Sequence, residues 1–214
     1  MNFLKRNIDK KISFLDLIRN CSDNFYLRPN SKGTIKINKK FVKFYLSKIR
    51  KNKIIVNFDN QKEKLYLPYI RMGIPSSLNL FAYHEHNIFL YYLKNFGYYK
   101  KIADIGGNIG LHSIILSKIG YKVDIYEPDL DHFKQLKKNL KINKCKNVKF
   151  YNKAIFDETK KIKFTKVINN TAANHIDGFK DNLHGPVKTF NVKTLDIKKI
   201  VKKYDLIKID AEGS

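Results

Sequence analysis

With 214 residues, 43% of them hydrophobic, the chain is long enough to bury one sizeable core and is expected to be globular. Its two cysteines, Cys21 and Cys145, stand far apart with no CxxC or His partner at ligand spacing, so neither a disulfide framework nor a zinc site is indicated. A formal net charge of +24 would ordinarily point to a polyanionic partner, but only five of the 43 basic residues are Arg (Arg6, Arg19, Arg28, Arg50, Arg71), the residue that base readout and bidentate phosphate contact favour.

The start of the chain carries charges at Lys5, Arg6, Asp9, Lys10 and Lys11, so it has neither the apolar stretch of a signal peptide nor a spanning helix, and a cytoplasmic location is expected. Residues 1–76 read as an N-terminal extension of α+β character, with Lys-rich clusters and a Pro-Asn-Ser-Lys-Gly turn at 29–33. Within it, the apolar runs 53–58 and 64–68 flank the turn former Asp59-Asn60 and predict a β-hairpin. The Gly-Ile-Pro-Ser-Ser stretch at 73–77 marks the boundary to a second domain, 77–214. The run 88–93 then predicts a helix buried on much of its surface and ended by Gly97.

From Lys101 strands and helices alternate, the signature of a parallel sheet with crossover helices. Ile102–Ile105 form a short strand, a Gly-rich turn follows, and Leu111, Ile114, Ile115 and Leu116 line a helix stopped by Gly120. The second strand is 122–126. Its helix carries Phe133, Leu136 and Leu140 on one face and is capped by Asp129. A third strand spans 148–151, and 161–165 and 187–192 are further strands or a hairpin. Asp196 caps a short helix, and a last apolar strand at 205–209 delivers Asp210 and Glu212.

The site-bearing feature is Asp104-Ile-Gly106-Gly107-Asn108-Ile-Gly110, between a strand and a helix, where a sharp turn and close ligand approach require glycine. Glu127 closes the next strand 21 residues after Gly106, near the interval of about 20 at which an acidic residue accepts ribose hydroxyls. Together they predict nucleotide binding at the carboxyl ends of the strands. A diphosphate cofactor prefers G-x-G-x-x-G, whereas here Asn108 stands where that loop has its second glycine and Asp104 precedes the turn. S-adenosylmethionine has no phosphate and brings an ammonium that a carboxylate favours, so the loop points to this methyl donor rather than NAD.

The chain resembles FkbM-family methyltransferases. The resemblance rests on the ordered set 104–110, Glu127-Pro128, Thr194-Leu195-Asp196 and Lys208-Ile-Asp210-Ala-Glu212-Gly213, spanning about residues 83–214, with Gly107 where the family more often has Ala. It implies a Rossmann-like class I methyltransferase sheet of α/β type and methyl transfer from S-adenosyl-L-methionine, commonly to a hydroxyl of a sugar or secondary metabolite. It further implies that Asp104, Gly106, Gly107, Asn108 and Gly110 hold the amino-acid part of the donor and Glu127 its ribose. Asn152 and Ala154 would lie near the adenine, and Asp210 and Glu212 would face the methyl group or acceptor.

Two readings of Asp210 stay open: a base for the acceptor hydroxyl, or a group that shapes the loop with Glu212 and binds the donor's amine. Glu85 is either a further donor contact or a surface acid. His84 and His86, two apart, do not share a helix face and suit packing rather than metal; His112 and His132 lie in amphipathic helices. Asn170, Asn174 and His175 sit in a polar segment that recognises acceptor or merely turns. Because Lys, Asn, Ile, Tyr and Phe are abundant together, as an AT-rich genome encodes, coding bias accounts for much of the charge, and a small-molecule or glycan acceptor is expected over a specific nucleic acid. The alternatives are a nucleic-acid methyltransferase, for which no D/N-P-P-Y motif is present, or a non-catalytic nucleotide-binding fragment. In the family fold the strand at 205–209 is covered by further strands, so a continuation beyond Ser214 is expected, since an open edge there would expose unpaired backbone groups.

Overall fold

The structure is a computed structural model that describes residues 13–16, 18–19, 49–50, 53–59, 63–70, 77, 85–168, 170, 173–178 and 185–210. The chain divides into two compact units, one of 1–71 with 75–94 and one of 72–74 with 95–214.

In the first unit, β1 (Ile49–Arg50), β2 (Lys53–Asn57) and β3 (Lys64–Pro68) form an antiparallel sheet in that order. Ile54 pairs with Leu67 and Val56 with Leu65, and all four are buried, so the period-two alternation of the hairpin sets one apolar face. Phe14 stacks on Phe58 with centroids 6.0 Å apart and meets Phe89 of α1 (His86–Lys94) at 6.0 Å. This helix, expected with the second domain, groups with the first unit. His86, buried, packs its ring edge on Phe89, and burial lowers its pKa to about 4.

The second unit is built on a parallel sheet in the order β11-β4-β5-β6, from β4 (Lys101–Ile105), β5 (Lys122–Tyr126), β6 (Val148–Tyr151) and β11 (Leu206–Ile209). β4 and β5 are buried along almost their whole length, as near-continuous apolar runs in a sheet covered on both faces should be. Crossover helices α2 (Leu111–Ile119) and α3 (Leu130–Ile142) alternate with these strands, giving a Rossmann-like α/β arrangement. Ile114, Ile115 and Leu116 of α2 are completely buried, each worth roughly 1.5–3 kcal/mol of transfer free energy. Gly120 ends α2 with φ 121°, and Asp129 caps α3 by accepting from the N–H groups of Asp131 and His132.

One face of the sheet buries Ala103, Ile105 and Tyr126 against Ile155 and Ile200, with Tyr204 and Ile207 packed alongside. A polar thread runs through this layer: the hydroxyls of Tyr126 and Tyr204 lie 2.6 Å apart, Tyr204 donates to Asp124 at 2.9 Å, and Lys101 pairs with Asp124 at 3.2 Å. Asp205 accepts from the backbone N–H groups of Lys100 and Lys101, which fixes the start of β11 beside β4 and holds its carboxyl below the usual range.

A second sheet, ordered β7-β10-β8-β9, consists of β7 (Ala154–Phe156), β8 (Lys161–Val167), β9 (His175–Ile176) and β10 (Val187–Asp196). β8 and β10 pair antiparallel from Lys161↔Lys193 to Val167↔Val187, and β7 joins β10 in parallel through Ala154↔Thr194. The segment 194–196 has a structural explanation residue by residue. Thr194, buried, donates to the Glu158 carbonyl and accepts from Lys160 N–H; Leu195 packs against the main core; Asp196 caps a 3-10 turn (Ile197–Lys199) through Lys198 N–H.

Candidate functional site

The carboxyl ends of β4 and β5 carry the two acids singled out in the sequence, and the loop 106–110 bends between them. Gly106 and Gly110 take φ of 74° and 89°, a left-handed conformation that L side chains resist, while Asn108 joins them at φ 49°. The N–H groups of Gly106 and Gly107 both donate to the Tyr126 carbonyl at 3.0 Å, tying the loop to the end of β5. Gly107 has no room for a side chain: a Cβ there would lie 2.3 Å from Cγ2 of Ile125. The Ala that the resembling family more often carries is therefore incompatible with this loop unless Ile125 moves.

Asp104 is fully buried. Its Oδ2 accepts from Ser113 Oγ at 2.5 Å, and its Oδ1 forms an ion pair with Lys208 Nζ at 3.0 Å. Burial alone would raise the Asp104 pKa, but Lys208, His112 and the Ser113 hydroxyl outweigh it and hold the carboxyl below its ordinary value. Lys208 also donates to the Gly106 carbonyl at 3.3 Å and lies 3.6 Å from Asp210. Its position follows from register, since Lys208 of β11 pairs directly with Asp104 of β4.

Glu127, 5% exposed, accepts from Asn108 N–H through Oε2 at 2.7 Å and from Asp129 N–H through Oε1 at 2.8 Å. The carboxyl group thus fastens the loop to the end of β5 and keeps hydrogen-bonding capacity toward a ligand hydroxyl. Burial pushes its pKa up to about 8, with nearby Asp129 adding to the rise against the two amide bonds and Lys208. Among the described residues, the buried Oδ1 of Asn108 accepts no hydrogen bond.

The remaining candidates are distributed as follows. Asn152 turns its Nδ2 to the carbonyls of Glu127 and Pro128, both at 2.9 Å, and so supports the loop after β5. Ala154 starts β7 and is buried among Phe164, Ile176 and Val192. Asp210 follows β11 with its side chain 69% exposed and its N–H on the Ile105 carbonyl at 3.0 Å. Glu85 belongs to the first unit, where its carbonyl accepts from Phe89 N–H. Glu212 and His84 lie outside the described residues. Asn174 bridges Asp129 Oδ2 and Val167 N–H, and His175 is buried with Nδ1 on the Ala173 carbonyl.

Sequence reasoning assigned no role to Ser113, Lys208 or Lys166. Lys166 pairs with Asp129 at 3.1 Å and Asp131 at 2.6 Å, bracing the N-terminus of α3. The signal for Lys208 was available as a lone charge inside the apolar run Leu-Ile-Lys-Ile, which needs a buried partner. For Ser113 it was a hydroxyl one turn into the helix after the glycine loop.

Among the described residues, no helix is long and apolar enough to cross a membrane. No protein-family model matches the chain, and no curated protein matches it. Among solved structures, it is similar to a SAM-dependent methyltransferase from Agrobacterium tumefaciens, at 8% identity and TM-score 0.35 over 50% of this chain and 34% of that one. It is likewise similar to Pyrococcus horikoshii TYW2 in complex with MeSAdo, at 21% identity and TM-score 0.34 over 49% and 37%. A third is the Pyrococcus abyssi tRNA (uracil-54, C5)-methyltransferase in complex with S-adenosyl-L-homocysteine, at 13% identity and TM-score 0.32 over 57% and 36%. The chain thus spans about a third of the length of the solved structures it matches.

Proposed function

We propose that the second unit binds S-adenosyl-L-methionine and that the protein is a methyltransferase of FkbM type acting on a hydroxyl of a sugar or secondary metabolite. The observation that carries the reading is the joint placement of Asp104, the left-handed loop 106–110 and Glu127 at the carboxyl ends of adjacent parallel strands. A buried carboxylate and a loop carbonyl suit an ammonium, the orphan Asn108 Oδ1 suits a further donor, and Glu127 suits a ribose diol. A diphosphate fits poorly, because the buried, ionised Asp104 would face its charge and the loop amides of Gly106, Gly107 and Asn108 are already engaged.

When bound, the donor supplies a methyl carbon activated by its sulfonium, and the protein's share is alignment. Asp210, exposed at the end of β11, is the residue for the acceptor side: as a base it takes the proton of the attacking hydroxyl. Asp210→Asn is expected to lower turnover and flatten its acid limb; full turnover with unchanged pH dependence would remove this role and leave Asp210 shaping the loop. A second reading, a nucleic-acid acceptor, is favoured by the net charge of +24. Labelled methyl transfer to hydroxylated sugars and to RNA, in parallel and across salt concentrations, separates the two, since RNA binding weakens steeply with salt.

A further inference from the structure

Among the described residues, Lys208 reaches both Asp104 and the glycine loop, and its side chain is 11% exposed. Ser113 occupies one oxygen of the Asp104 carboxylate, which leaves Oδ1 as the oxygen open to a cation, and Lys208 holds it at 3.0 Å. The same Nζ reaches the Gly106 carbonyl. A buried carboxylate oxygen together with a loop carbonyl is what an α-ammonium requires, and a lysine head group offers the same chemistry: a compact cation with three N–H donors.

On the reading of the loop as an S-adenosylmethionine site, we infer that Lys208 is an internal stand-in for the donor's ammonium, occupying that subsite in the free protein and displaced from it when the donor binds. Two ammonium groups at one carboxylate oxygen repel strongly at the low effective dielectric of a buried site, so they do not share it. Without either cation the buried Asp104 would lose its ion-pair partner at Oδ1, so the lysine helps to keep the free site ionised. Asp210 gives the displaced head group a destination: its Oδ2 is 3.6 Å from Nζ and its side chain is largely exposed. Ligands that carry the adenosine but no amino acid leave Lys208 where it is.

Titration calorimetry with S-adenosylhomocysteine and 5′-methylthioadenosine tests this on the full chain. Lys208→Met and Lys208→Gln are expected to raise the preference for S-adenosylhomocysteine over methylthioadenosine by about tenfold or more, because the competing cation is gone. Lys208→Arg, which keeps the cation, is expected to hold the parent preference. A preference that is unchanged or reduced in the Met and Gln variants overturns the inference, a reduction meaning that Lys208 grips the donor's carboxylate instead. Should the neutral variants not fold, amine acylation of the unmodified chain read by mass spectrometry reports the same event. Lys208 is expected to label faster with S-adenosylhomocysteine than with methylthioadenosine, and equal or slower labelling counts against displacement. If the parent binds neither ligand, the donor reading itself falls with the inference; if it binds both and the preference does not move, the inference alone falls.

Discussion

Replacing Gly107 with Ala tests how tightly the loop is fitted to the sheet beneath it. The new Cβ would lie 2.3 Å from Ile125 Cγ2 and 3.2 Å from Leu136 Cδ1, whereas carbon atoms settle about 3.5–4.0 Å apart. Something must shift by more than about 1 Å to restore that spacing. Ile125 is fully buried in β5 and, being β-branched, has little χ1 freedom with which to turn away. The loop cannot lift freely either, since Gly106, Gly107 and Asn108 are bonded to Tyr126 and Glu127. Overpacking of this kind costs about 1–3 kcal/mol. Urea unfolding of Gly107→Ala is expected to show a lower midpoint with an unchanged m-value. Ile125→Ala alone leaves a cavity costing about 2–5 kcal/mol, but it also removes the clashing methyl. The double variant is therefore expected to be more stable than the sum of the singles by about 1 kcal/mol or more. A Gly107→Ala variant within about 0.5 kcal/mol of the parent, with additive behaviour in the double, would refute the tight fit.

Three other outcomes follow from the same geometry. Asp104→Asn leaves the largely buried Lys208 without its carboxylate and is expected to cost about 3–5 kcal/mol in chemical denaturation, whereas Asp210→Asn, at the exposed end of the same cluster, should cost less than about 1 kcal/mol. Tyr204→Phe removes the bond to Asp124 and the partner of Tyr126, and a loss of about 1–3 kcal/mol is expected. Burial lifts the Glu127 carboxyl to about 8 from an ordinary 4.5, so between those values the folded chain keeps a proton that the unfolded chain has released, and stability falls as pH rises. His86 and His132, whose pKa values burial lowers, act in the opposite sense below 6.5, so the clean window is 6.5 to 8. Urea midpoints across that window should decline in the parent and stay level in Glu127→Gln; a level parent would contradict the raised carboxyl.

The elements that determine the site were legible because their signals are local. β5 matches the run 122–126 residue for residue, Asp129 caps α3 through its own side chain, and Gly120 ends α2 with a positive φ. Glu127 was placed at its strand end by the run 122–126 and singled out by its interval from Gly106, but its present partners, Asn108 and Asp129 N–H, depend on how the loop folds back, which neither signal encodes. Lys208 was hidden for a related reason: its meaning comes from a parallel pairing between residues more than a hundred positions apart. The second sheet was only partly visible, because β7 and β9 have three and two residues and owe their place to β10 and β8 rather than to their own pattern. The need for Gly at 107 was not legible either, because it comes from Ile125 of the neighbouring strand lying beneath the loop.

The central claim is that the loop 106–110 with Asp104 and Glu127 receives an adenosyl amino acid and not a diphosphate. Calorimetric titration of the chain with S-adenosylhomocysteine and, separately, NADH tests it most directly. Saturable heat with S-adenosylhomocysteine, none with NADH, and loss of the former in Asp104→Asn is the predicted result. Binding of NADH with no response to S-adenosylhomocysteine would contradict the account.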